Sequence, residues 1–199
     1  MNITKKQIIT IGGRPGSGKS TTAKAISEQL GFMHFSSGDL FRAVSREHGQ
    51  DVLQSNLEAE KEDGVSKIDQ LVDQRLRDIG TNDNQLVIDS RMAWHWMPYS
   101  FRVFLDLDLE TAAHRILGGM TPERIQAEHI SEDPAEYAES LNERLESEAR
   151  RYKKMYQINP YDLTNYDLVV DTKVNSVEEV VAQIVEVYTS WATDLQASE

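Results

Sequence analysis

Short apolar runs alternate along the chain with longer stretches in which apolar residues recur every three or four positions. Residues 7–12 (QIITIG) are β-branched and apolar, the pattern of a buried parallel strand. Glycines and serines follow. A helix is predicted from about residue 19 to 30, with Ala23, Ile26 and Leu30 on one face and Gly31 as its C-cap. Residues 32–35 (FMHF) predict a second strand, and 37–48 a helix ended by Gly49. The polar stretch 50–84 predicts two helices broken near Asp63-Gly64. The second carries a stripe of Val65, Ile68, Leu71, Val72, Leu76 and Ile79. Three more strands are predicted at 86–89 (LVID), 102–107 (RVFLDL) and 167–171 (DLVVD). Helices are predicted at 111–117, 134 to about 156, and 177 to about 195. Strands alternating with helices predict an α/β fold, a five-stranded parallel sheet with helices on both faces. Two stretches are not needed by the sheet, about 37–84 and about 118–150. Both are expected to be mobile segments of a single domain spanning 1–199.

Composition narrows the partners. Lys and Arg number 21 against 33 Asp and Glu, a net charge of −12. A surface this acidic disfavours nucleic acid polymers and anionic membranes, both of which need net positive charge. There is no cysteine, which excludes disulfides, thiolate metal sites and cysteine nucleophiles. No run approaches the ~20 apolar residues of a membrane span. The first residues, MNITKKQIITIGG, lack a cleavage site, so a cytoplasmic protein is expected.

The chemistry begins at Gly13, Arg14, Pro15, Gly16, Ser17, Gly18, Lys19 and Ser20, followed by Thr21. These fit GxxxxGK(S/T) in full, with a strand before and a helix after. Backbone N–H groups in such a loop point at phosphate oxygens, and the helix N-terminus adds about half a positive charge. Lys19 would reach the β and γ phosphates of ATP, and the Ser20 hydroxyl would ligate Mg²⁺. No guanine-selective NKxD is present, and the chain is small for a motor, which leaves small-molecule kinases.

A second segment, SSGDLFR (Ser36 to Arg42), begins where a strand ends. Open parallel sheets bind ligands there, and Arg42 offers a two-pronged phosphate contact. A third, VIDSR, sets Asp89 at a strand end, where it can hold Mg²⁺, and Arg91 beside the same cleft. At 100° per residue, Arg144, Glu148 and Arg151 share a narrow arc of the long helix. Leu141, Leu145, Ala149 and Tyr152 form the arc beside it. An Arg144–Glu148 pair within the helix, worth about 0.3–0.5 kcal/mol, explains the spacing equally well.

With IGGRPGSGKST, SSGDLFR, IDQLVDQR, VIDSR, HRI, RLESEARRYKKMY and YDLVVDT in order, nearly the whole chain resembles the nucleoside monophosphate kinases. Among them it is similar to the compact archaeal cytidylate kinases. The resemblance implies phosphoryl transfer from ATP, with Mg²⁺, to CMP or dCMP. It implies acceptor contacts from Ser36, Arg42, Asp69, Arg91, Arg144, Glu148 and Arg151, with Arg144 and Glu148 near the sugar. Lys19, Arg115 and Arg151 are implied on the transferred phosphoryl group, with Arg115 and Arg124 beside a lid hinge at Gly118-Gly119. A monomer is expected. The chain departs from the family pattern at Ser90, where glycine is usual. It also departs at the bulky Trp94-His95-Trp96, read as a packing cluster, and at Ala112, in place of a lid arginine. A kinase for another small acceptor, an ATP-binding regulator and a simple ATPase are the rival readings. None of the five histidines is placed by its spacing as a metal ligand or general base.

Overall fold

The computed structural model describes residues 6–48, 67–127 and 130–196, without the side chains of 67–69, 124, 127 and 194–196. Five parallel strands run in the order β2-β3-β1-β4-β5: β1 (Ile8–Gly13), β2 (Met33–Ser36), β3 (Leu86–Asp89), β4 (Phe101–Asp106) and β5 (Leu168–Asp171). Strands β1 and β3 lie inside the sheet and are buried at every residue, which is why they read as unbroken apolar runs.

Alternate strand residues point to opposite faces, and each face is covered by helices. On one side Ile9, Ile11, Val87 and Val103 pack under α1 (Lys19–Leu30) and the last helix, α8 (Val177–Gln196), through Ala23, Ile26, Val181 and Ile184. On the other, Ile8, Leu86 and Ile88 meet α2 (Ser37–Glu47), α3 (Lys67–Asn82) and α4 (Ala93–Trp96) through Val44, Val72, Leu76 and Ala93. Helices α2 and α3 are therefore built into the main core. The break expected near Asp63-Gly64 lies outside the described residues.

A third apolar cluster joins α5 (Leu109–Gly118) to α7 (Pro134–Tyr156) through Ala112, Ala113 and Leu141. Between them lies α6 (Pro122–Ala127), a short helix the apolar pattern did not announce. Helix α7 runs unbroken to Tyr156, so the expected segment end at 150 falls inside it. Asp133 accepts from the N–H groups of Ala135 and Glu136, and Pro134 starts the first turn, which accounts for its sharp beginning. Among the described residues no helix is long and apolar enough to cross a membrane.

Candidate functional site

The carboxyl ends of β1 and β3 hold the first half of the site. Leaving β1, the chain turns at Gly13, whose φ is +145°; a Cβ there would lie 2.5 Å from the Leu105 carbonyl oxygen. At Gly18, with φ +82°, it enters α1. No side chain caps this helix, so the N–H groups of its first turn remain open to an anion. The Ser17 hydroxyl is buried and, among the described residues, makes no hydrogen bond, a polar group whose partner a phosphate oxygen could supply. Lys19 curls back and donates to the carbonyls of Gly13 at 3.0 Å and Arg14 at 2.8 Å. The Arg14 side chain turns from the loop to Asp106 at 3.0 Å.

Burial, and then the charge of Arg91, lowers the Lys19 pKa from 10.5 to about 7. A bound triphosphate supplies negative charge and raises it again. At pH 8 Lys19 is mostly neutral in the empty loop and charged in the filled one, so ATP binding should take up close to one proton. At pH 6, where Lys19 is already charged, the uptake should vanish. Calorimetry in buffers of different ionisation enthalpy reads this directly.

Asp89 ends β3 with its side chain only 6% exposed. Ser20 donates to its Oδ2 at 2.6 Å and Ser36 at 3.3 Å. The imidazole Nε2 of His34, on β2, lies 2.9 Å from Oδ1. Spacing gave His34 no role, yet parallel pairing sets β2 beside β3 with Ser36 opposite Asp89, and this brings the imidazole to the carboxylate. The pairing partner of the acid-bearing strand was the signal to follow. A carboxylate and a hydroxyl suit Mg²⁺, which prefers oxygen ligands and keeps waters or phosphate oxygens as the rest. Among the described residues no group of three or more His, Asp or Glu is gathered to hold a metal. Ser20 and Asp89 therefore fit an ion that shares its shell with a nucleotide.

The second half is a cleft of about 220 Å³ between α2, α3, the turn after β3 and α7. Arg42, Arg91, Arg144, Glu148, Arg151 and Tyr152 all line it. Arg42 pairs with Asp39 at 2.5 Å on the exposed surface of α2. The buried Glu148 carboxylate lies 3.3 Å from both Arg91 Nε and Arg144 Nε, and Tyr161 donates to it at 2.7 Å. Burial pushes against its ionisation, yet Arg91, the Tyr161 hydrogen bond, Arg144 and Arg151 hold its pKa below the ordinary value. Burial is the largest influence on Arg91 and opposes its charge, but Glu148, Tyr161 and Tyr152 together prevail and the guanidinium stays firmly protonated. Periodicity set Glu148 beside the apolar stripe of α7; the structure buries it with Leu141 and Leu145.

Three further sequence readings resolve. Trp94-His95-Trp96 is the expected packing cluster: Trp94 is buried, and Trp96 packs edge-on against Tyr156 at 5.1 Å. Trp96 Nε1 at 3.2 Å and the Tyr156 hydroxyl at 2.6 Å both donate to Asp73, so these aromatics tie α3 to α7. Ala112 is fully buried against the phosphate loop, where a Cβ on Gly16 would lie 3.1 Å from its carbonyl oxygen; an arginine has no room there. Arg115 stands apart from the cleft, exposed on α5, and donates to the Thr172 carbonyl beyond β5 at 2.7 Å. The side chains of Asp69 and Arg124 lie outside the described residues.

The chain is similar to known proteins over most of its length. Residues 12–133 match the AAA domain family. The chain is 35% identical to the cytidylate kinase of Natronomonas pharaonis over 94% of its own length and 92% of that protein's. It is 38% identical to the cytidylate kinase of Haloarcula marismortui, over 83% and 80% respectively. Among solved structures, a gluconokinase from Sinorhizobium meliloti superposes with a TM-score of 0.62 at 16% identity, covering 98% of each chain. A shikimate kinase from Bacteroides thetaiotaomicron gives 0.61 at 16% identity, over 91% of this chain and 97% of that one; both establish the fold alone. With a phosphate loop on a five-stranded parallel sheet and relatives this close over most of its length, the chain belongs to the cytidylate kinase family.

Proposed function

We propose that the protein transfers the γ-phosphoryl group of ATP to CMP or dCMP, giving CDP or dCDP and ADP. The observation that carries the reading is the adjacency of two sites. The phosphate loop abuts an arginine-lined cleft, closely enough that Arg91, Glu148 and Arg144 all act electrostatically on Lys19. An oxygen of the acceptor phosphate attacks the γ phosphorus, and the bond from phosphorus to the β–γ bridging oxygen breaks. The attacking phosphate oxygen is already ionised, so positioning and charge neutralisation do the work and no strong base is needed. The loop from Gly13 to Thr21 cradles the triphosphate, and Lys19 stabilises charge on the transferred group. Arg42, Arg91 and Arg151 hold the acceptor phosphate, and Ser36, Asp69, Arg144 and Glu148 the nucleoside. Ser20 and Asp89 would hold Mg²⁺, which when bound neutralises phosphate charge. The exposed Arg115 reaches the nucleotide only when the segment around 118–150 closes and expels water. The stretch about 37–84 is the acceptor-binding segment. The finer expectations belong to the same reading: Mg²⁺ dependence, a place in pyrimidine nucleotide metabolism, and a cytoplasmic monomer without nucleic acid or membrane partners.

The test is kcat/KM for each nucleoside monophosphate at fixed ATP. CMP and dCMP should exceed AMP and GMP by at least tenfold. A site built to hydrogen-bond one base edge leaves its polar groups unpaired against another, a penalty that can reach about 10⁴-fold. AMP or a free nucleoside outperforming CMP and dCMP tenfold would overturn the cytidylate assignment.

A further inference from the structure

We propose that Tyr161 is a positioning residue for the acceptor: its hydroxyl holds the Glu148 carboxylate so that Glu148 and Arg91, 3.3 Å from each other, do not close into a two-pronged pair and both remain available to substrate. The proposal rests on the acceptor reading above and adds a residue outside every motif that supports it.

Tyr161 lies beyond α7, where Gln157, with φ +61°, reverses the chain. The turn that carries it is rigid. Asn159 Oδ1 accepts from the Tyr161 N–H at 3.0 Å, Asn165 donates to the Asn159 carbonyl at 3.1 Å, and the Tyr166 hydroxyl donates to the Pro160 carbonyl at 2.7 Å. Tyr166 is itself wedged between Phe104, at 4.9 Å, and Trp94, at 5.7 Å. The Tyr161 hydroxyl is therefore held from the core of the sheet, independently of α7. It occupies Glu148 Oε2 at 2.7 Å.

The consequence concerns Arg91. A guanidinium and a carboxylate side by side ordinarily form two parallel, aligned hydrogen bonds. Here Arg91 Nε lies 3.3 Å from Oε2 yet, among the described residues, makes no hydrogen bond, although it is buried. That same oxygen, Oε2, already accepts from the Tyr161 hydroxyl. The other oxygen, Oε1, accepts from Arg144 at 3.3 Å, a side chain 59% exposed. Oε1 can thus be given up to a substrate hydroxyl, while the guanidinium of Arg91, hydrogen-bonded to Tyr152, is not locked against Glu148 and can turn to a phosphate. Without the Tyr161 hydroxyl, Glu148 can rotate into a two-pronged grip on Arg91 that withdraws both from the cleft.

The experiment is Tyr161→Phe, which keeps the ring and removes only the hydroxyl. With CMP varied, kcat/KM should fall about tenfold, chiefly through KM, while the KM for ATP stays within twofold. The acid limb of the CMP kcat/KM profile should also move to higher pH. Glu148 must be ionised to serve, and losing a donor makes it protonate more readily. The charged and titratable groups facing it would be unchanged: Arg144 and Arg151 on α7, Arg91 after β3 with Tyr152 beside it, and Lys19 from the phosphate loop. In a Glu148→Gln background the same substitution should cost less than threefold, since Tyr161 acts through that carboxylate. A Tyr161→Phe enzyme with unchanged CMP kinetics and an unmoved acid limb overturns the proposal. So does an equal loss for ATP and CMP, or a full tenfold effect that persists beside Glu148→Gln. If the unaltered enzyme does not use CMP at all, it is the acceptor reading that fails.

Discussion

Lys19→Ala should lower turnover by at least about 100-fold while leaving the protein folded. A factor of 100 corresponds to ~2.7 kcal/mol of transition-state stabilisation, which a single charge placed on a transferring phosphoryl group in a water-poor site readily provides. The structure adds an expectation about stability. The Lys19 ammonium is half-buried and donates to two carbonyls, with Arg91 nearby and burial outweighing the pull of Asp89 and Glu148. Its folded pKa lies below its unfolded one, so the unfolded chain binds more protons between pH 7 and 10.5 and stability rises with pH across that window. Removing the side chain should abolish this dependence and leave the unfolding temperature at pH 7 no lower than before. That pairing of catalytic loss with retained stability is the mark of a group placed for function at the expense of the fold. Turnover within threefold of the unaltered enzyme would mean that the triphosphate lies elsewhere. A collapse in unfolding temperature would mean that Lys19 holds the loop together.

What the sequence discloses here depends on the distance over which a feature is encoded. The path from β1 through the phosphate loop to α1 is local, and an apolar run, a glycine-rich turn and a helical stripe are all visible within thirty residues. The helical period of α7 is local too, and it sets Arg144, Glu148 and Arg151 on one arc. The α4 turn, Ala93–Trp96, escaped because four residues are too few to show a period. The strand limits shifted by about one residue, β4 running Phe101–Asp106 rather than 102–107, because an apolar run does not mark its first hydrogen bond. The contacts that complete the site join residues far apart in the chain. His34 meets Asp89 through strand pairing, 55 positions away, and Tyr156 meets Asp73 across 83. Tyr161 is only 13 positions from Glu148, yet a helix end and a reversal of the chain lie between them, and no periodicity carries across such a turn. Arg115 shows the converse. Its position beside two glycines is local, but its partner in the structure, the Thr172 carbonyl, is a neighbour set by the order of β4 and β5, which that position does not show.

Arg91→Ala should have the second large effect, and it should divide into two separable parts. The kinetic part is a loss of at least about 100-fold in kcat/KM for the acceptor, with little change for ATP, because a two-pronged phosphate contact is lost from the acceptor side alone. The structural part comes from Glu148, whose side chain is only 8% exposed and whose strongest attraction is to Arg91. Removing one partner of a buried pair leaves the other uncompensated, at a cost of about 3–5 kcal/mol. The pH dependence has a definite sign. In the intact protein the Glu148 pKa is lowered, so its contribution is present at neutral pH and lost as pH falls through the folded value. In Arg91→Ala burial prevails and that pKa rises, so the destabilisation should be largest near pH 7 and shrink towards pH 4, where Glu148 protonates. Adding Glu148→Gln removes the stranded charge and should recover much of the stability at pH 7 while leaving acceptor kinetics as poor as before. Unfolding measured at both pH values for the single and double variants, beside their CMP and ATP kinetics, tests the two parts independently. If the double variant regains acceptor activity along with stability, Arg91 serves the fold and some other side chain holds the acceptor phosphate.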